Sequence, residues 1–397
     1  MRRIIATTST LLALLSGWDP ATSAFARQTT TPQPAAAAPD IKAAEQPVIQ
    51  IAILLDTSGS MEGLINQART RIWDVVNDLT KARKNGQVPR FEVGLYQYGS
   101  DTLPSSEGFL RCVQPFTTDL DMLSERLFAL KTDGSAEFCG WVSQNALHQL
   151  SWNTTPASAP IADLPLRVVI IAGNEEFTQG PVDYKPVMTA AKARGVFINT
   201  IYCGPYQEGE KSGWLNAAYL AGGSFNSIDH NQQIEYVAAP QDAEILRLNT
   251  ALNETYIAYG ASGSSNWARQ QEQDATNIAA SREAAVQRAA SKASAYYCNS
   301  HWDLLDACKT NTVDIEKVPT ADLPENMRPM TMDERKAYIR KLQDKRDEIN
   351  KRIAELNRER DVFLIDHRKK CGVTLDTAIT KAVREQATKV GFVFKAD

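Results

Sequence analysis

Residues 48–61 read VIQIAILLDTSGSM, and no other stretch limits the fold as narrowly. Ile49, Ile51, Ile53, Leu54 and Leu55 form a β-branched and aliphatic run, the signature of a parallel strand covered on both faces. The run stops abruptly at Asp56-Thr57-Ser58-Gly59-Ser60, and a helical pattern begins at about Glu62. One carboxylate and two hydroxyls therefore fall at the carboxyl end of a sheet strand, where open α/β sheets place their ligands. Hard oxygen donors held this close suit Mg²⁺, Mn²⁺ or Ca²⁺ and not soft metals. Capping of the next helix would explain Asp56 or Ser60, but one cap does not need three side-chain oxygens in one turn.

Strand and helix patterns then alternate. Leu64, Ile65, Ala68, Ile72, Val75, Val76 and Leu79 repeat at helical spacing within 63–84. Residues 90–98 (RFEVGLYQY) and 108–116 read as strands that pair as neighbours. Thr118 predicts the cap of a helix through Leu130, and the polar turn 131–137 leads into a second helix ending near Trp152. Strands over 166–172 (LRVVIIA), 196–203 (VFINTIYC) and 224–228 are separated by helices over 181–194 and 212–221. This alternation predicts an α/β, Rossmann-like, mainly parallel sheet with right-handed crossovers over 47–239.

Past Pro240 the strand signals stop, and 240–397 reads as an all-α helical region. Residues 241–259 are helical, 262–265 form a Gly/Ser break, and 267–295 read as one long Ala- and Gln-rich helix. Thr331-Met332-Asp333-Glu334 is a capping box that opens a long helix over 332–370. Leu342, Ile349, Leu356 and Phe363 recur every seven residues with Ile353 between, as in a coiled-coil seam, but Arg346 and Arg360 interrupt it. The interruptions favour a helical hairpin packed on its own chain, with a homodimer through these helices as the alternative. A last helix over 376–389 leads to the apolar end Val390-Gly391-Phe392-Val393-Phe394.

The first 26 residues have a basic start, a short apolar centre and the small-x-small end Ala24-Phe25-Ala26, the pattern of a cleaved secretory signal. Residues 27–46, rich in Pro, Ala, Thr and Gln, follow as a linker. The expected location is therefore the periplasm or the exterior, with no transmembrane segment. A net charge of -4 gives no electrostatic reason to expect nucleic acid. In an exported chain the six cysteines read as disulfide candidates and not as zinc ligands. Cys139 and Cys203 both fall on the ligand-bearing rim and can bridge there, while Cys298 and Cys308 are close in sequence. Cys112 and Cys371 are left over.

The Asp-x-Ser-x-Ser turn after a hydrophobic strand resembles the von Willebrand factor type A domain, whose metal-ion-dependent adhesion site (MIDAS) begins with this motif. The order of elements over 47–239 is similar as well. The pairing with a helical tail, including 322–327 (DLPENM), is similar to exported bacterial proteins. The resemblance implies further ligands, a Thr from a second loop and an Asp from a third, and a protein partner whose acidic side chain completes the coordination. This chain departs at both places. The third-loop carboxylate falls on Gly173 in Ala172-Gly173-Asn174, and the second-loop register points at Glu137 instead of Thr132. A remodelled site of Asp56, Ser58, Ser60 and Glu137 is expected, with Thr132 and Glu175 as lesser candidates. The cofactor expected there is a divalent cation, Mg²⁺ first, then Mn²⁺ or Ca²⁺, weakened by the lost carboxylate.

The expected role is thus that of an adhesion or scaffold module binding a protein partner, and not an enzyme. A metal-dependent hydrolase with Glu137 or Glu175 as base is the alternative, and a metal-free structural protein of the cell envelope is the third reading. No catalytic residue is assigned. His148, His230, His301 and His367 lack ligand spacing, and no Gly-x-Ser-x-Gly occurs.

Overall fold

The structure, a computed structural model, describes residues 46–62, 65–228, 237–371 and 378–394. The expected export signal and nearly all of the linker lie outside them, as does His230.

β1 (Val48–Asp56) is buried at every position because it runs mid-sheet between β3 (Arg90–Tyr98) and β5 (Leu166–Gly173), parallel to both. Between β1 and β3 the chain forms α1 (Ile65–Leu79) and the short β2 (Ala82–Arg83). β4 (Leu110–Thr117) turns back antiparallel on β3, as the two strand patterns required, and is followed by α2 (Leu120–Phe128) and α3 (Cys139–Gln149). α2 is capped by Asp119 and not by Thr118, its carboxylate accepting from the amides of Asp121 and Met122. After β5 come α4 (Tyr184–Ala193), β6 (Phe197–Tyr202), α5 (Tyr206–Lys211), α6 (Trp214–Leu220) and β7 (Phe225–Ser227). The sheet order is β4-β3-β1-β5-β6-β7, so the carboxyl ends of β1, β3, β5 and β6 share one rim.

Period-two alternation on β1 divides the core between two layers. Ala52 and Leu54 face a cluster with Val142 of α3, Met188 of α4 and Trp214 of α6. Ile49, Ile51, Ile53 and Leu55 face the other way, into a cluster with Val75 and Leu79 of α1.

That second cluster continues into the helical region. It is built from α7 (Asp242–Asn253), α8 (Gly263–Ala280), α9 (Arg282–Lys292), α10 (Leu304–Lys309), α11 (Met332–Cys371), α12 (Ala378–Lys389) and the two-residue β8 (Val393–Phe394). Val286 and Ala289 of α9, Ile353 and Leu356 of α11, and Val383 and Ala387 of α12 join the same core as β1. β8 pairs antiparallel with β2. The single helix expected over 267–295 is two, because Ser281 takes extended backbone and its hydroxyl caps α9 by accepting from the amide of Ala284.

α11 opens at Thr331 with the expected reciprocal cap: Glu334 accepts from the Thr331 amide at 2.7 Å. Ile349, Ile353 and Leu356 are buried, and α11 packs on α7, α9 and α10 of its own chain. The arginines that break the heptad lie buried in this seam, each on a carboxylate: Arg346 on Asp303 at 2.6 Å, Arg360 on Asp242 at 2.8 Å.

Candidate metal centre

Asp56 ends β1 with its side chain wholly buried. Its Oδ1 accepts from the Ser58 amide at 2.7 Å, while Oδ2 has no hydrogen-bond partner. Thr57 turns away: its amide and hydroxyl both donate to the Tyr98 carbonyl, at 2.9 and 3.1 Å. The hydroxyls of Ser58 and Ser60 stand 2.8 Å apart, and Ser60 donates to Asn174 Oδ1 at 3.1 Å. Ser58 is buried and Ser60 exposed, so the oxygens run from the interior to the surface.

The second loop is laid on the first by backbone hydrogen bonds, Gly59 to the Gly134 carbonyl at 2.9 Å and Asp133 to the Thr57 carbonyl at 2.8 Å. Arg69 of α1 holds its start by donating to the Leu130 carbonyl at 2.6 Å, and Gln179 accepts from the Glu137 amide. Glu137 is thereby carried to the site, 1 % exposed, and its Oε2 has no partner. Gly99 separates the two acids. A Cβ there would meet Asp56 Oδ1 at 2.6 Å and Glu137 Cγ at 3.0 Å, and φ is +87°, so only glycine lets both carboxylates approach.

Two buried carboxylate oxygens without donors, on acids that approach each other across Gly99, are costly unless a cation or a proton offsets them. Hydroxyl and amide oxygens beside them complete a hard donor set. Among the described residues no group of three or more His, Cys, Asp and Glu side chains is placed to hold a metal. An ion here would therefore depend on Ser58, Ser60 and Asn174 as well as on the acids.

Burial pushes the Asp56 carboxyl up to about 7, against the lowering effect of Ser58 and of the nearby Asn174 backbone, and the charge of Glu175 adds to the rise. Burial also raises the Tyr98 hydroxyl and the Cys139 and Cys203 thiols.

Asp56, Ser58 and Ser60 share one turn in the structure, and Glu137 reaches it across Gly99. Glu175 is half-buried nearby, its backbone carbonyl bonded by Trp214 Nε1 at 2.7 Å. Thr132 is half-buried on the second loop, and among the described residues no hydrogen bond joins its hydroxyl to the acids.

Gly173 cannot be read simply as a lost ligand. A Cβ there would lie 2.4 Å from the Tyr98 hydroxyl and 2.9 Å from Asp56 Oδ2, so Tyr98 fills the space a side chain would need. Tyr98, Gly99 and Asn174 are the site residues that motif reading missed. The abrupt end of 90–98 beside the first strand was the available signal for the first two.

The disulfide expectation is corrected: Cys112, Cys139, Cys203, Cys298 and Cys308 are free thiols. Cys139 directs its thiol at the Tyr98 hydroxyl, 3.7 Å away, and not at Cys203. Cys308 packs against the apolar cluster of Leu304, Leu305 and Met327, and Cys112 lies opposite Tyr96 on the edge strand. The side chain of Cys371 lies outside the described residues.

No protein-family model and no curated protein matches the chain. Among solved structures it is similar to proximal thread matrix protein 1 from the mussel byssus, solved with a zinc-occupied MIDAS motif, at 12% identity and a TM-score of 0.33. The match covers 47% of this chain and 43% of the mussel protein, less than half of its length. It is also similar to BatB from Bacteroides thetaiotaomicron (14% identity, 46% of this chain and 90% of that one, TM-score 0.34). A third is the pilus adhesin SpaC from Lactobacillus rhamnosus GG (13% identity, 47% and 28%, TM-score 0.33). The strand order with its antiparallel edge, and the Asp56-x-Ser58-x-Ser60 turn at the carboxyl rim, give this chain a fold similar to that of von Willebrand factor type A domains.

Proposed function

We propose that the chain is an exported protein-interaction module, of adhesion or scaffold type, whose rim holds a divalent cation. Asp56, Ser58, Ser60 and Glu137 would hold the ion, with Asn174 beside them and Glu175 outside. The observation that carries this reading is the pair of buried, partnerless oxygens, Asp56 Oδ2 and Glu137 Oε2. The bound cation would offset the two buried charges and offer an open coordination position to a partner. Mg²⁺ is the first choice on donor hardness, with Mn²⁺ and Ca²⁺ as competitors. Export rests on the first 26 residues and remains part of the proposal.

Binding is our first reading, with metal-dependent hydrolysis through Glu137 or Glu175 as the alternative; His148 at the last turn of α3 and His301 are both exposed and carry no part of either. Calorimetric titration of Mg²⁺, Mn²⁺ and Ca²⁺ into the wild type, Asp56→Asn and Glu137→Gln tests the site. Saturable heat in the wild type, with affinity about tenfold or more weaker in each variant, is expected. Equal and negligible heats in all three would remove the cation from the account.

A further inference from the structure

The amino end of the sheet, opposite the candidate metal centre, brings two arginines together without a counter-charge. Arg167 stands at the start of β5, in register with Gln50 of β1 and, beyond it, Glu92 of β3. It is 5 % exposed; its Nη1 donates to the Asn153 carbonyl at 2.7 Å, and its Nε has no partner. Arg194 closes α4 and is exposed, with its Nη1 donating to the Leu147 carbonyl at 2.7 Å. The acid of that row is already taken, since Glu92 accepts from Gln50 at 2.7 Å and pairs with Arg90 at 3.1 Å. Among the described residues no carboxylate forms an ion pair with Arg167 or Arg194.

Burial holds the Arg167 guanidinium below its usual range, and the like charge of Arg194 lowers it further. A buried cation beside a second cation is costly unless an anion offsets both. Carbonyl capping explains one N–H of each arginine but not why two like charges meet with no acid between them. Each planar fork is pinned at one corner by its carbonyl, so its remaining N–H groups are held in place for an oxyanion. Gly195, at φ +68°, keeps that edge uncovered: a Cβ there would fall 3.1 Å from Arg167 Nη2 and 3.2 Å from the exposed Ala157. We propose that Arg167 and Arg194 bind a phosphate-class dianion, free or as the terminal group of a monoester, at the base of the sheet. A dianion offsets both guanidinium charges and offers each fork its own oxygens, whereas a single carboxylate offsets one. The site lies at the other end of the strands from Asp56 and needs no cation at the rim.

Calorimetric titration of inorganic phosphate and of phenyl phosphate into the intact protein, freed of divalent cations and held in Tris chloride, tests the idea. Arg194→Gln removes the exposed member of the pair, and Lys211→Gln removes the same charge from an exposed position beyond the carboxyl end of β6. Phosphate should give saturable heat in the wild type, with affinity about tenfold or more weaker in Arg194→Gln and unchanged in Lys211→Gln. Phenyl phosphate bound as tightly as phosphate assigns the site to monoesters, and phosphate bound alone assigns it to the free ion. Arg167→Lys keeps the charge but not the fork and should weaken phosphate while leaving the circular dichroism spectrum unchanged. Should that buried variant fail to fold, Arg194→Gln still decides. Absence of saturable heat in the wild type, equal affinity in Arg194→Gln, or equal weakening by Lys211→Gln would each overturn the site.

Discussion

Asp56 meets opposing demands: its place at the end of a fully buried strand strips water from the carboxylate, and the Ser58 amide supplies only part of what water would. Its carboxyl titrates near 7 in place of the usual 3.8. Between those values the folded, metal-free protein holds a proton that the unfolded chain has released, so its stability falls as pH rises from about 4 to about 7 and levels off above. The loss attributable to this group is on the order of 4 kcal/mol. Urea denaturation in EDTA should show the wild type losing stability across that window relative to Asp56→Asn, with Mg²⁺ restoring it above pH 7. Parallel stability curves for the two proteins would show that burial does not perturb Asp56. The acid was legible in the sequence because its partners Ser58 and Ser60 share its turn, and Glu137 because loop register pointed to it. Tyr98 and Asn174 were not, since their roles depend on which strand lies beside which. Only the parallel pairing of β3 with β1 puts the Tyr98 hydroxyl where a side chain at Gly173 would go.

At the scale of elements, the helices follow the apolar periodicity, and their polar interruptions are where they are joined. Arg288 of α9 is 2 % exposed and bridges Asp121 of α2 at 2.5 Å and Asp274 of α8 at 2.9 Å. Tyr297 adds a second hydrogen bond to Asp121 at 2.5 Å, and Lys292 sits on Asp274 at 2.7 Å. α2 leads directly into the loop that carries Glu137, so this network fastens the helical region to the element that delivers an acid to the rim. Arg288→Met leaves Asp121 without its buried cation and should cost about 3–5 kcal/mol. Removing the exposed Lys345 from Glu254 by Lys345→Met should cost under about 1 kcal/mol. Guanidinium denaturation of both variants compares them, and equal small losses would mean that the network does not fasten the layers. The existence and type of the long elements were legible from spacing alone, and α11 begins where its capping box stands. That Arg346 and Arg360 fill a seam and do not break it was hidden, because their carboxylates come from α10, its cap and α7, far away in sequence.

For the whole molecule, the decisive question is whether the sheet layer can stand without the helices that follow it. The face of β1 carrying Ile49, Ile51, Ile53 and Leu55 shares its core with Val286, Ala289, Ile353, Leu356 and Val383, all from beyond residue 240. Lys84, buried under the sheet domain, donates to the carbonyls of Ile161 and Leu164 and also to Val390, at 2.8 Å, from the far end of the chain. β8 adds backbone pairing to β2. A chain of 46–239 would expose that apolar face, strip Asp121 of Arg288 and leave Lys84 one acceptor short, each a loss of a kind that single domains do not tolerate cheaply. We therefore expect 46–397 to unfold in one cooperative calorimetric transition. The shorter chain should aggregate or melt without a sharp transition, even with Mg²⁺ present. A soluble, monomeric 46–239 with a transition near that of the longer chain would show that the shared core is an accessory contact. The rim lies at the carboxyl ends of the strands, and β8 with Lys84 anchors the chain end beside β2, on the connection that enters the opposite end of β3. The helices can thus stiffen the sheet from the side of β2, away from the carboxyl rim that carries Asp56.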